Sequence, residues 1–366
     1  MWETYYYDYL GLMAVDHPAG TEIFTDERFV VPPVKLAVTT VAEPRAIAKA
    51  VDDLGHDVTE TLRGLDGNYL DTFGRGQYQG VTRDHYVEID LGDHLPAGGP
   101  LWLIAHGWLH PSDSSVNVAM SQGDRIHPQP LRLEIPDGRG GWRIARANLG
   151  FPAGRNKTCL IDLTGLFHPG MPHKLRLRTN LEIYWDQIQW AEGLPHAATT
   201  ITRLAPQSAD LHYRGFSVIH QANASSPEIP DYNQLAATTQ IWRDLEGYYT
   251  RYGDVRELLK AIDDRYVIMN AGDELALRFA APPGPPAGWV RDYVIVGDGW
   301  VKDGDYNSTF SRTVEPLPYH ARTEYDQPPG MLEDEWVYRH QPRDWQTYQT
   351  RYVTADSFRN ALQNGK

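Results

Sequence analysis

The sequence predicts a mainly β protein built around a jelly-roll β-sandwich, with a strand-rich N-terminal layer before it and an α+β C-terminal region after it. Three observations carry this reading. Short alternating apolar segments fill residues 84 to 190, turn residues separate them at short spacing, and the apolar period becomes helical after residue 230. At 366 residues the chain exceeds the usual size of a single core. The expected division is a layer at 1–83, the sandwich at 84–220, and an α+β region with an extended tail at 221–366.

In the first layer, strand-like pieces at Thr21 to Phe24 and Lys35 to Val41 flank the Pro32-Pro33 break. The Gly74 to Gly80 stretch marks the entry to the sandwich. Eight strand candidates follow: Tyr86 to Leu91, Leu101 to His106, Val116 to Ser121, Leu131 to Ile135, Trp142 to Ala147, Thr158 to Leu163, Leu175 to Thr179 and Leu181 to Trp190. In Leu131-Arg-Leu-Glu-Ile135 the apolar residues occupy alternate places, so one face is buried and the other wet. Pro136 to Gly141, Phe151 to Gly154 and His168 to Gly170 supply the turns.

Beyond a polar linker at 221–230, Leu235, Trp242, Leu245 and Tyr249 recur at helical spacing. A second helix is expected from Asp254, with Glu257 completing a capping box and Val255, Leu258, Leu259 and Ile262 forming the apolar stripe. Strands at Leu275 to Phe279 and Tyr293 to Val296 flank the proline connector 282–286. From Pro316 onward the weak periodicity predicts a tail wrapping the surface.

Composition narrows the function. A net charge of −14 and the lack of any basic run exclude general attraction to nucleic acid. There is no apolar run long enough for a membrane span, and the N-terminus lacks the features of a signal peptide. Cys159 is the only cysteine, so no internal disulfide or cysteine zinc site is possible, and its apolar neighbours predict a buried, inert thiol. The 11 Trp and 21 Tyr suit either a sandwich core or a sugar- or protein-contacting surface, with Trp108, Tyr184 and Trp300 as the candidate ligand-contacting rings.

Two motifs point to metal chemistry. Asp298, Asp303, Asp305 and Asn307 alternate in a Gly-containing loop, as a calcium site needs, although Ser308 and Val314 stand where an EF-hand requires Gly and Glu. The same residues also make an ordinary turn. His106, His110 and Asp113 offer three ligands for a metal-dependent hydrolase, against a reading in which both histidines are structural. Glu182, Asp186 or Asp162, beside Tyr184, Trp185 and Trp190, suggest a glycosidase carboxylate pair. The simpler alternative is a strand with one polar face. No P-loop, G-x-S-x-G or dinucleotide fingerprint is present.

Several phrases resemble the C-terminal region of bacterial FG-GAP-repeat proteins that carry ASPIC/UnbV domains: Val15 to Gly20, Asp52 to Thr59, Arg251 to Leu258, Asp263 to Met269, Asp298 to Asn307 and Pro316 to His320. Residues 85 to 190 more loosely resemble galactose-binding-like, or discoidin-like, jelly rolls. The first resemblance implies an exported or surface-associated protein and supplies no catalytic residues. The second implies carbohydrate or surface binding. Together they favour a non-catalytic module that recognises a carbohydrate or a protein partner, with the metal-dependent hydrolase as the alternative.

Overall fold

Alternation decides which side chains meet in the strand Lys174–Leu181. Leu175 and Leu177 are buried, while Lys174, Arg176 and Arg178 are only partly covered. The computed structural model describes residues 3–354 except 97, 222–227, 238–244, 304–309, 311 and 325–327. The chain is mainly β, 47% strand against 9% helix, in many small antiparallel sheets.

A five-stranded antiparallel sheet runs in the order Trp142–Arg146, Arg132–Pro136, Lys174–Leu181, Val81–Asp90, Lys49–Asp52. A four-stranded sheet runs Lys157–Asp162, Leu101–Leu109, Ile183–Glu192, Arg45–Ala46. Val87, Ile89, Leu133 and Leu177 of the first share one apolar cluster with Leu103, Cys159, Ile183 and Trp185 of the second. Burying each large apolar side chain there contributes about 1.5–3 kcal/mol. Cys159 is part of this core, and burial pushes its thiol far above the usual cysteine range.

Seven of the eight segments read as strands between residues 84 and 190 are strands, and the exception is Val116 to Ser121. It forms the α-helix Ser114–Gln122, because the Asp113 carboxylate accepts from the Val116 amide at 2.7 Å and caps it. Apolar residues at 116, 118 and 120 fit a strand as written, and the cap overrides that short signal.

The first strand, Glu3–Pro18, has no counterpart in the sequence reading. It pairs along its length with Trp289–Asp303, and its other edge takes Val267–Met269 and Thr200–Leu204. The opening residues are therefore the middle of a sheet whose other strands come from residues 200–204, 267–269 and 289–303.

The described ends of the helix expected through Leu235 and Tyr249 are strands. Glu228–Leu235 pairs with Ser217–Gln221, and Gly247–Tyr249 pairs with Arg351–Val353; residues 238–244, Trp242 among them, lie outside the described residues. The helix expected from Asp254 is only the 3-10 turn Arg256–Leu259. Val255, Leu258 and Leu259 are buried, but Ile262 is 56% exposed, so the turn ends before the stripe does. Pro316 does not open a surface tail either. Leu317, Val337, Trp345 and Val353 pack in one core with Tyr6, Tyr249 and Tyr266. No helix among the described residues is long and apolar enough to cross a membrane.

Candidate functional site

Two places collect the residues that carry chemistry. The first lies on the outer face of the four-stranded sheet. Trp108 and Tyr184 stand directly opposite one another in antiparallel register, with ring centroids 6.2 Å apart. Gly107 points the other way, where an added Cβ would sit 2.6 Å from the Trp185 ring, so residues 106, 108 and 110 project from the outer face. Phe73 and Tyr69 pack edge-on against Tyr184 at 5.1 and 6.5 Å. Tyr69, Phe73 and Tyr184 are buried, and Trp108 covers them.

Beneath the rings lies a carboxylate. Glu182, 2% exposed, accepts from the Tyr184 hydroxyl at 2.5 Å and the Gly80 amide at 3.0 Å, and its Oε2 lies 3.1 Å from His110 Nδ1. Burial pushes the Glu182 carboxyl up, but His110, Tyr184 and Gly80 outweigh it and hold the group below the usual Glu value. Gly80 adopts φ +80°, and a Cβ there would lie 2.4 Å from the Ser112 amide, so only glycine lets the two loops meet. Arg75 reaches the Tyr184 hydroxyl from the exposed side.

The structure does not assemble the ligand set His106, His110 and Asp113. His106 faces Thr158 Oγ1 at 3.2 Å and the Phe24 ring, His110 faces Glu182, and Asp113 caps a helix. Each has a structural partner. Burial lowers the pKa of His106, so the unfolded chain takes up a proton first as pH falls through 6.5. The contribution of neutral His106 is therefore complete above pH 6.5 and is lost below it. Urea midpoints at pH 7.5 and 5.5 should show a smaller acid loss in His106→Leu than in the parent chain; equal losses would disprove this.

The glycosidase carboxylates are likewise engaged. Asp186, 1% exposed, accepts from the Gly67 and Asp66 amides at 3.1 and 3.3 Å, and exposed Asp162 accepts from Thr164. Trp185 and Trp190 belong to the core.

The second place lies at a bulge in the first strand. Tyr7 pairs with Gly299 and Tyr9 with Asp298, which leaves Asp8 without a cross-strand partner. A bulge re-aims a side chain, and here the fully buried Asp8 carboxylate accepts from the Asp263 and Asp264 amides at 3.3 and 3.1 Å. His320 closes the group. Its Nδ1 is 2.7 Å from Asp264 and 3.7 Å from Asp8, and its Nε2 is 3.0 Å from Asp298. Burial pushes the Asp8 carboxyl up to about 6. Burial opposes protonation of His320, but Asp264, Asp298 and Asp8 outweigh it and raise its pKa.

Trp300, the third candidate ligand ring, belongs here instead of beside Trp108, with its ring 4.7 Å from His320 and 5.9 Å from Tyr266. Of the expected calcium loop, Asp298 contacts His320 and Asp303 ends the long strand, while Asp305 and Asn307 lie outside the described residues. Sequence reasoning missed Asp8, Asp264 and His320 as a group. The only signal was that Asp263 to Met269, Asp298 to Asn307 and Pro316 to His320 each stood out as phrases. No protein-family model, curated protein or solved structure matches this chain.

Proposed function

We propose that this protein is a non-catalytic binding module whose two-sheet domain is a galactose-binding-like jelly roll that recognises a carbohydrate through Trp108 and His110. One observation carries the reading: the partly exposed Trp108 ring lies on a support of buried aromatic side chains, next to an imidazole anchored at one nitrogen by buried Glu182. Aromatic faces stack on the apolar face of a sugar ring, and a preorganised polar neighbour reduces the ordering cost of binding. The anchored His110, its ring 5.8 Å from that of Trp108, offers its other nitrogen for a hydrogen bond beside the stacked sugar.

A glycan array, followed by calorimetry on the best oligosaccharide, tests the proposal. Trp108→Ala should weaken binding by about tenfold or more, as loss of a central aromatic contact does. His110→Ala should weaken it too, and should also lower the denaturant midpoint, because it takes one partner from the buried Glu182 carboxylate, so its affinity is read on the folded protein. Full affinity in both variants, or no glycan bound by the parent chain, would sink the proposal.

A further inference from the structure

We infer that Asp8, Asp264 and His320 form a binding site for a first-row divalent cation such as zinc or manganese, with Asp298 positioning the histidine. The three residues place one carboxylate or imidazole atom each within 4.8 Å of the others. Four-coordinate bonds of about 2.1 Å set neighbouring ligand atoms about 3.4 Å apart, and the 2.7 and 3.7 Å contacts to His320 Nδ1 bracket that separation. The donor set of one imidazole and two carboxylates suits zinc or manganese better than calcium, which takes six to eight oxygens.

Charge points the same way. Asp8, Asp264 and Asp298 meet one imidazole, and among the described residues none of them has an ion pair with Lys or Arg. Arg265, next in sequence, turns away to Asp344 at 2.7 and 3.0 Å. Even a protonated His320 leaves two negative charges in excess, in a group where Asp8 is 0% exposed and Asp264 is 14% exposed. Uncompensated buried charge is costly, and a cation removes the cost.

The geometry of Asp298 also fits. A histidine that binds metal through one nitrogen commonly donates its other N–H to a carboxylate, which fixes the tautomer. With Nδ1 toward Asp8 and Asp264, the Nε2 of His320 lies 3.0 Å from Asp298 Oδ1. A separate observation is the Tyr266 hydroxyl, 2% exposed and without a hydrogen-bond partner among the described residues. Tyr266 and Asp264 both line a cavity of about 10 Å³, enough for one water.

The test uses the full chain, stripped with chelator and dialysed, titrated at pH 7.5 with zinc by calorimetry and with manganese by loss of the free-ion magnetic resonance signal. One equivalent of each should bind, zinc more tightly. His320→Gln should abolish binding. Asp298→Asn, which keeps all three ligands, should weaken it about 10- to 100-fold at unchanged stoichiometry. Circular dichroism of both variants separates lost ligation from lost folding, and Asp298→Asn decides the matter if His320→Gln does not fold. Absence of binding at millimolar ion, or parent-like binding by the folded variants, overturns the inference. The glycan experiment reads a different face, so the two proposals fail independently.

Discussion

Glu182→Ala should lower the unfolding free energy by about 3–5 kcal/mol, the cost of removing one partner from a buried, charge-assisted network. Two donors lose their acceptor at once: the Tyr184 hydroxyl and the Gly80 amide. Tyr184 is 2% exposed, so its hydroxyl has little access to replacement water. Glu182→Gln should cost less, because it keeps the shape and one acceptor for Tyr184 but presents an amide group to Gly80 or His110. The substitutions also change the acid response. Because the folded value of Glu182 is depressed, its contribution is present above about pH 4.5, the unfolded value, and is lost as pH falls through the folded value. Denaturant titrations from pH 7 to 3 should show a shallower acid decline in Glu182→Gln. A loss under about 1 kcal/mol in Glu182→Ala would mean that the network is solvated and that His110 is not held by it.

Trp185→Ala should cost about 3–5 kcal/mol, as large-to-small changes of buried aromatics do. Its ring is 4% exposed within the core shared by the two sheets, and it packs against the backbone of Gly107 on the neighbouring strand. That contact makes a sharper test than the single substitution. Gly107→Ala in the parent chain drives a methyl into the Trp185 ring and the Tyr184 carbonyl oxygen, 2.6 and 2.7 Å from the new carbon. Overpacking of this kind costs about 1–3 kcal/mol. With Trp185 already truncated, the ring clash disappears and only the carbonyl contact remains. The two losses should therefore be less than additive, by about 0.5 kcal/mol or more. Strict additivity in urea melts would show that Gly107 and Trp185 do not touch.

Local pattern determined much of the β architecture. The alternation in Leu131 to Ile135 and Leu175 to Arg178 is a property of a few consecutive residues, and it assigned the apolar faces that pack in the shared core, although Glu134, on the face read as wet, is buried too. Tyr184 lies within a strand readable from sequence, whereas Trp108 lies two residues past the strand read as Leu101 to His106, which the structure carries on to Leu109. Their meeting across the sheet depended on register, which no short segment encodes. Where two local signals competed, the pattern was insufficient. Asp113 read as a metal ligand and Val116 to Ser121 as a strand, and a single capping hydrogen bond accounts for both departures.

Only the tertiary structure decided the second place. Asp8 lies more than 250 residues from Asp264 and more than 300 from His320, and the three meet where the first strand takes Val267–Met269 on one edge and Trp289–Asp303 on the other. The bulge that turns Asp8 toward them exists only once Tyr7 and Tyr9 have found Gly299 and Asp298. From sequence alone the run after Asp298 looked self-contained, because alternating oxygens in one loop are what a local cation site would show. The structure instead joins Asp298 to a histidine from a segment that had seemed a surface tail. Sequence can reveal periodicity, capping residues and the chemistry available at each position. Which distant side chains share a site follows from strand pairing and core packing, which are properties of the whole chain.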